Sequence, residues 1–143
     1  MPSAKQNLTM AVLLVALLTI VVGIGGIVSP DRFMAIRRLY YATPSRFYAA
    51  GAFRMAMGLV LTLATSTISR WPWTLRAMGA VMGLQALTGT LFGLQHARVI
   101  MEWEAAQAPA LLRAGALVAL ASGGFIVFAV TKRRSEEQRK VAH

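Results

Sequence analysis

Three polar side chains lie inside long apolar stretches of the sequence and are its main candidates for chemistry. They are Arg54, Gln85 and Arg113. Two guanidinium groups and an amide at membrane depth are able to bind an anion or a lipid headgroup, or to tie neighbouring helices together, because a polar group left alone in hydrocarbon is costly. The same stretches contain no Asp, Glu or His. They offer neither a general base for a nucleophile nor the acid that a proton-coupled transporter normally carries.

The remaining residues favour neither a metal site nor an enzyme. The chain has no cysteine, and its two histidines, His96 and His143, lie outside the apolar stretches, where they cannot form the paired ligands of a membrane haem. A metal site needs three or four clustered ligands, and the strongest candidate set is His96 with Glu102 and Glu104. We do not assign a metal to it. We expect a protein that is not an enzyme and has no cofactor.

The composition places the chain in the membrane class. Of its 143 residues, 57% are hydrophobic and 14% are charged, whereas a soluble domain carries about 25% charged residues. The net charge is +10, and most of the basic residues lie between the apolar stretches and near the C-terminus. This placement is typical of membrane flanks that meet anionic lipid headgroups. We therefore expect membrane lipids as partners and no nucleic acid.

Four apolar stretches are each long enough to cross a hydrocarbon layer of about 30 Å. We predict spans over residues 8–28, 47–68, 74–94 and 109–131, followed by a charged tail over residues 132–143. The first stretch exceeds the signal-peptide core of about 7–15 residues, so we expect it to be retained. Four spans put both chain ends on one side of the membrane, the terminal side, and the two longer connections on the far side. The predicted fold is all-α, a single domain built as a bundle of four transmembrane helices.

A stripe of small residues marks one face of the third span. Its members are Gly79, Gly83, Ala86, Thr90 and Gly93, which are spaced four, three, four and three residues apart and share one side of a helix. In lipid, helix association depends on close packing, and small residues let two backbones approach. We predict that this stripe is the helix-packing face around which the bundle is organised.

The two far-side connections differ in their local signals. Ser29, Pro30 and Asp31 resemble a helix start, with a capping serine, a proline in the first turn and an acid at the positive end of the dipole. The segment up to Pro44 is either a short helix lying in the membrane interface or an ordinary polar loop. Residues 95–108 are predicted to be a loop.

The far side also carries the three acids that lie outside the tail, Asp31, Glu102 and Glu104. Arg54 and Arg113 lie near the far-side ends of their spans, where long side chains lean toward that interface. We predict that these carboxylates, or backbone carbonyls and lipid phosphates, hold both arginines and close the far end of the bundle. The alternative is a functional anion site.

The two halves of the chain repeat the same order of features. Each half has a span, a far-side connection with acids and arginines, a proline, and a second span with an arginine near its start. The first and third spans begin 66 residues apart. Two duplicated helical hairpins would explain this order, and chance similarity between any two hairpins is the alternative.

Residues 22–64 contain VGIGGIVSPDRFMAI followed by TPSRFYAAGAFRMAMGLVLTLA. This stretch resembles the short two-span YjeT-type bacterial inner-membrane proteins, which are uncharacterised. Their pattern is a glycine-rich first span, a proline-led basic loop, and a second span with arginine and glycine. The resemblance implies a bacterial inner-membrane location but no activity, and the chain departs from it by its second hairpin.

Two functions are compatible with these residues. The first is a small non-catalytic membrane protein that acts by packing, either as an accessory subunit of a membrane complex or as a self-associating bundle. The second is an oligomeric transporter or channel, with an anion or lipid-headgroup path lined by Arg54, Arg113 and Gln85.

The flanking charges predict the orientation of the chain. Eight Lys and Arg residues flank the spans on the terminal side and five on the far side, or seven there if Arg54 and Arg113 are included. By the positive-inside rule, both termini lie in the cytoplasm. Reporter fusions at Gln107 and at the C-terminus should therefore report opposite sides of the membrane. The same side for both fusions would contradict the four-span topology.

Overall fold

The computed structural model describes residues 3–68, 71–107 and 109–141, with side chains over 3–64, 71–107 and 110–132. These residues form five α-helices and no strand. The helices are α1 (Ala4–Val28), α2 (Pro30–Tyr40), α3 (Pro44–Ile68), α4 (Pro72–Ala106) and α5 (Pro109–Val141). All but α2 are long and apolar enough to cross a membrane. The predicted all-α membrane bundle is confirmed. Helix α5 continues beyond the predicted span to Val141, into the segment that was predicted to be a charged tail.

Proline begins four of these helices, because the first turn of a helix does not use the missing N–H group. At α1, the Ser3 Oγ accepts a hydrogen bond from the Gln6 N–H at 3.3 Å and caps the helix. Ser29 was predicted to cap α2 in the same way, but its side chain makes no capping hydrogen bond. Instead, its N–H donates to the Gly25 carbonyl and closes α1. Pro30 still begins a helix, so the polar-loop alternative for residues 30–40 is wrong.

The fourth helix is much longer than the predicted span. It runs to Ala106, and residues 95–106, which were predicted to be part of a loop, are helical. Their sequence, QHARVIMEWEAA, is rich in good helix formers, which explains the difference. The two parts meet at Gly93, whose φ of 78° and ψ of 171° break the helical course. Such a φ is readily adopted only by glycine. Gly93 is therefore a helix break and not a packing residue, since a Cβ there would meet nothing within 4 Å.

The four spans associate as two closely packed pairs. Helix α1 packs mainly against α5, α3 packs mainly against α4, and α1 joins the pairs through α3. Every span contributes to the largest fully buried side chains, which are Val12, Leu61, Leu75, Ile126 and Val130. Leu75 lies in the first turn of α4 and Val130 in the last turns of the fourth apolar stretch. The common core therefore lies toward the terminal side.

Backbone contact at glycines creates the α3–α4 pair. A Cβ built on Gly79 would lie 2.7 Å from the Gly58 carbonyl oxygen, and one built on Gly58 would lie 2.9 Å from the Gly83 nitrogen. Further along, a Cβ on Gly51 would lie 3.2 Å from the Thr90 hydroxyl oxygen. Ala86 is buried. Gly79, Gly83 and Thr90 of the predicted stripe thus meet glycines of α3, whereas a Cβ on Gly93 would meet nothing within 4 Å.

The α1–α5 pair uses the same kind of contact. A Cβ on Gly23 would lie 2.7 Å from the Leu120 nitrogen, and one on Gly123 would lie 2.9 Å from the Ala16 carbonyl oxygen. Gly26 lies against Ala116 in the same interface. Both pairs therefore bring backbones together with almost no side chain between them, which favours association in lipid.

The two pairs are also equivalent in sequence position. Gly58 contacts Gly79, and Gly123 contacts Ala16. Ala16 and Gly79 are 63 residues apart, Gly58 and Gly123 are 65 apart, and the prolines that begin α3 and α5 are again 65 apart. Each half thus contains a long helix, a break, a short helical segment and a proline-led span. This order favours duplicated hairpins over chance similarity.

The glycine contacts generate a stability prediction. We expect Gly79→Ala to lower the free energy of unfolding in detergent by about 1–3 kcal/mol, because an added Cβ overpacks the interface. Its nearest neighbours are the Thr62 Oγ1 at 2.6 Å and backbone atoms of Gly58 and Thr62, which cannot move without shifting α3.

The matched control for this change is Gly124→Ala on α5, where a Cβ would meet nothing within 4 Å. Gly83→Ala should have an intermediate effect, since its Cβ would lie 3.6 Å from the Met55 sulfur, an ordinary contact. Thermal or denaturant unfolding, followed by circular dichroism, measures all three. Equal stabilities for the Gly79 and Gly124 variants would contradict the close packing.

Candidate functional site

Two arginine contacts tie α2 to the far-side part of α4. The Arg37 Nη1 donates to the Glu104 Oε2 at 2.7 Å, which is a charge-assisted pair between segments 67 residues apart. Arg98 donates from Nε to the Tyr41 carbonyl at 3.0 Å and from Nη2 to the Ala42 carbonyl at 2.9 Å. The carbonyls at the end of a helix have no intrahelical partner and attract a cation. Arg98 therefore caps the C-terminal end of α2 from another helix.

The Arg37–Glu104 pair is partly desolvated. Its side chains are 26% and 28% exposed. Burial alone lowers the pKa of Arg37, but the charge of Glu104 and the hydrogen bond to it outweigh burial, so the pKa is raised above its ordinary value. The guanidinium is charged at every physiological pH, and the contact acts as a permanent structural link.

A buried methionine sets the register of each partner. Met34 lies one turn before Arg37 on α2, and Met101 lies one turn before Glu104 on α4; both methionines are buried. Because residues three apart share a helix face, burying each methionine turns its charged neighbour toward the bundle. The two short segments thus present the same pattern with opposite charges, which meet across the far side.

This arrangement corrects the predicted ion pairing. Among the residues that the structure describes, neither Arg54 nor Arg113 forms an ion pair with Asp31, Glu102 or Glu104. Arg37 and Arg98, and not Arg54 and Arg113, make the polar contacts at the far end. The prediction treated residues 95–108 as a loop. Residues 95–106 are instead helical, and this helical course brings Glu104 to Arg37.

The three polar residues of the spans lie on the outside of the bundle. Arg54 on α3, Gln85 on α4 and Arg113 on α5 are all exposed. Within the described part of the chain, none of them forms a side-chain hydrogen bond or ion pair. A single copy of the chain therefore does not bring them together into an internal polar path.

The candidate metal ligands are also not gathered. Over the described residues, no group of three or more His, Cys, Asp or Glu side chains is placed to hold a metal ion. The His96 ring packs near Phe92, with ring centroids 5.3 Å apart, and Glu104 is paired with Arg37.

An aromatic cluster lies on the terminal side of the bundle. The Trp71 ring stacks on Phe125, with centroids 5.5 Å apart and an interplanar angle of 7°, and it lies 6.0 Å from Phe128. The Lys132 ammonium lies 5.4 Å from the Phe128 centroid, within cation–π range. The sequence marks Trp71 as an interfacial residue, and the spacing of three between the two phenylalanines was the available signal for its partner face.

Comparisons with known proteins found no match for this chain. No family model matches the chain, and neither the curated proteins nor the solved structures include a significantly similar one. The function is therefore argued from the geometry.

The α2–α4 tie is testable by a double-mutant cycle. Arg37→Gln and Glu104→Gln should each lower the free energy of unfolding. The loss in the double variant should be about 1 kcal/mol smaller than the sum of the two single losses, because the shared ion pair can be lost only once. The coupling is modest because solvent partly screens a pair of this exposure. Combining Arg38→Gln with Glu104→Gln is the control, since Arg38 is exposed and forms no ion pair within the described region. That combination should be additive. Additivity in the Arg37 cycle would show that the contact adds no stability.

Proposed function

We propose that this protein is a small non-catalytic membrane protein that acts by binding other membrane proteins. It serves as an accessory or structural subunit of a membrane complex, or as a self-associating bundle. The observation that carries this proposal is the position of the polar span residues on the outside of a thin bundle. A chain that conducts a substrate alone would direct them inward.

The spans leave most of their surface uncovered. Only 11% of the residues in the apolar stretch of α4 are buried, against 22% to 28% in the apolar stretches of the other three spans. Lipid covers apolar surface without difficulty, but it offers no partner to an amide at mid-depth. Polar side chains at such positions typically bond across to another helix. The exposed Gln85 therefore supports a protein partner.

The proposal extends to the location of the protein. The resemblance of residues 22–64 to YjeT-type proteins supports a bacterial inner membrane, and the excess of Lys and Arg on the terminal side supports cytoplasmic chain ends. Arg32, Arg38 and Arg46 are exposed at the far side, where anionic headgroups are suitable partners.

A second candidate function is supported by one observation. Arg54 and Arg113 are not neutralised by the far-side acids within the described residues, so two guanidinium groups are free for an anion or a lipid headgroup. Because Arg54, Gln85 and Arg113 are exposed on three different helices, a path lined by them requires several copies of the chain.

Purification in mild detergent distinguishes these functions. We expect the full chain to elute with other membrane subunits or as an oligomer, with a protein mass, corrected for bound detergent, above one copy. Reconstitution into vesicles should give no anion flux. A monomer without companions would contradict the proposal, and an anion flux that Arg54→Gln abolishes would establish the second candidate instead.

A further inference from the structure

One exposed face of α4 differs from the rest of the lipid-facing surface. It is centred on Gln85 and is called the Gln85 face. Its members share one side of the helix and are Val81, Gln85, Thr88, Gly89 and Phe92. None of them is buried, and none carries a charge. The packing stripe that meets α3 lies on a different side of the same helix.

Gln85 lies too deep to reach water. It is 13 residues after Pro72, about 20 Å along the helix, and 8 residues before the break at Gly93, about 12 Å. A glutamine side chain spans neither distance, so its amide remains in hydrocarbon. Within the described part of the chain it has no hydrogen-bond partner. The nearby Thr88 hydroxyl donates to backbone carbonyls, that of Leu84 at 2.9 Å and that of Gln85 at 3.1 Å, and forms no hydrogen bond with the Gln85 side-chain amide.

A second residue of this face also lacks a role within the chain. A Cβ on Gly89 would meet nothing within 4 Å, so this glycine serves no internal contact. It lies one turn from Gln85, where it permits another helix backbone to approach the amide. The neighbouring exposed side of α4 carries Leu84, Leu87 and Leu91, whose side chains are suited to lipid chains.

We propose that the Gln85 face binds the same face of a second copy of the chain, with the two Gln85 amides hydrogen-bonded to each other. This inference rests on the proposed function and specifies its partner. An amide is both donor and acceptor, so it is complementary to itself, and a two-fold axis places identical residues opposite each other. A partner helix with a carboxylate would be matched by a cation, and this face has none. Two uncharged faces also do not repel.

Cysteine cross-linking tests this pairing directly, because the natural chain contains no cysteine. In full-length protein in bacterial membranes, single Val81→Cys and Phe92→Cys variants should form disulfide-linked dimers on mild oxidation. Leu87→Cys and Leu91→Cys are the matched controls. They lie on the same helix, about 120–160° around it from Gln85, and are 46% and 74% exposed, against 54% and 67% for the test positions. The controls should not cross-link.

The role of the amide is tested in the Phe92→Cys background. Gln85→Leu should weaken dimerisation about tenfold, which corresponds to the loss of an interhelical hydrogen bond in lipid. Gln85→Asn should retain part of the dimer, because it keeps the amide. The Gln85 side chain is exposed and forms no hydrogen bond or ion pair within the described bundle, so circular dichroism should show unchanged folding in both variants.

Four outcomes would overturn the inference. Equal cross-linking at all four positions would show random collision. Cross-linking that is insensitive to Gln85→Leu would show that the amide does not join the copies. If the wild-type chain instead purifies with a different subunit, and Gln85→Leu releases that subunit, the second copy is wrong while the accessory function remains. A monomer with neither cross-links nor companions would remove both proposals.

Discussion

Direct backbone contact between helices is the constraint on which the rest of this bundle depends. In hydrocarbon there is no gain from hiding apolar side chains, so helices associate by fitting closely. Gly58 against Gly79, and Gly123 against Ala16, provide that fit in the two pairs. Once small residues occupy the contacts, the large side chains must point outward. The long series of exposed leucines, valines and phenylalanines follows from this choice.

The two ends of the bundle are secured by different chemistry. On the terminal side, the core side chains and the Trp71–Phe125 stack hold the spans together. On the far side, the apolar core gives way to an ion pair and to an arginine that caps a neighbouring helix. These polar links lie outside the spans, where some water is available and a guanidinium is less costly to desolvate. The middle of the bundle contains neither device and relies on the glycine contacts.

Sequence patterns predicted what depends on one helix at a time. Span positions follow from length and apolarity, and the stripe from Gly79 to Thr90 follows from spacing alone. The partner of Glu104 could not be predicted in that way, since an ion pair depends on the register between two helices. The Arg37–Glu104 pair was missed because residues 95–108 were treated as a loop. A loop has no helical phase, and it is the helical phase that directs Glu104 toward Arg37. Gly93 shows the same limit, since its place in the stripe gives no sign of its positive φ.

The break at Gly93 has a consequence for how the protein tolerates change. In an uninterrupted helix, inserting one residue rotates everything beyond it by about 100°. A joint at a left-handed glycine interrupts that propagation, because the segment after it takes its direction from its own contacts, here the buried Met101 and the paired Glu104. A residue added to or removed from α4 between the last stripe contact at Thr90 and the break thus changes the length of the intramembrane part without misaligning the polar closure beyond it.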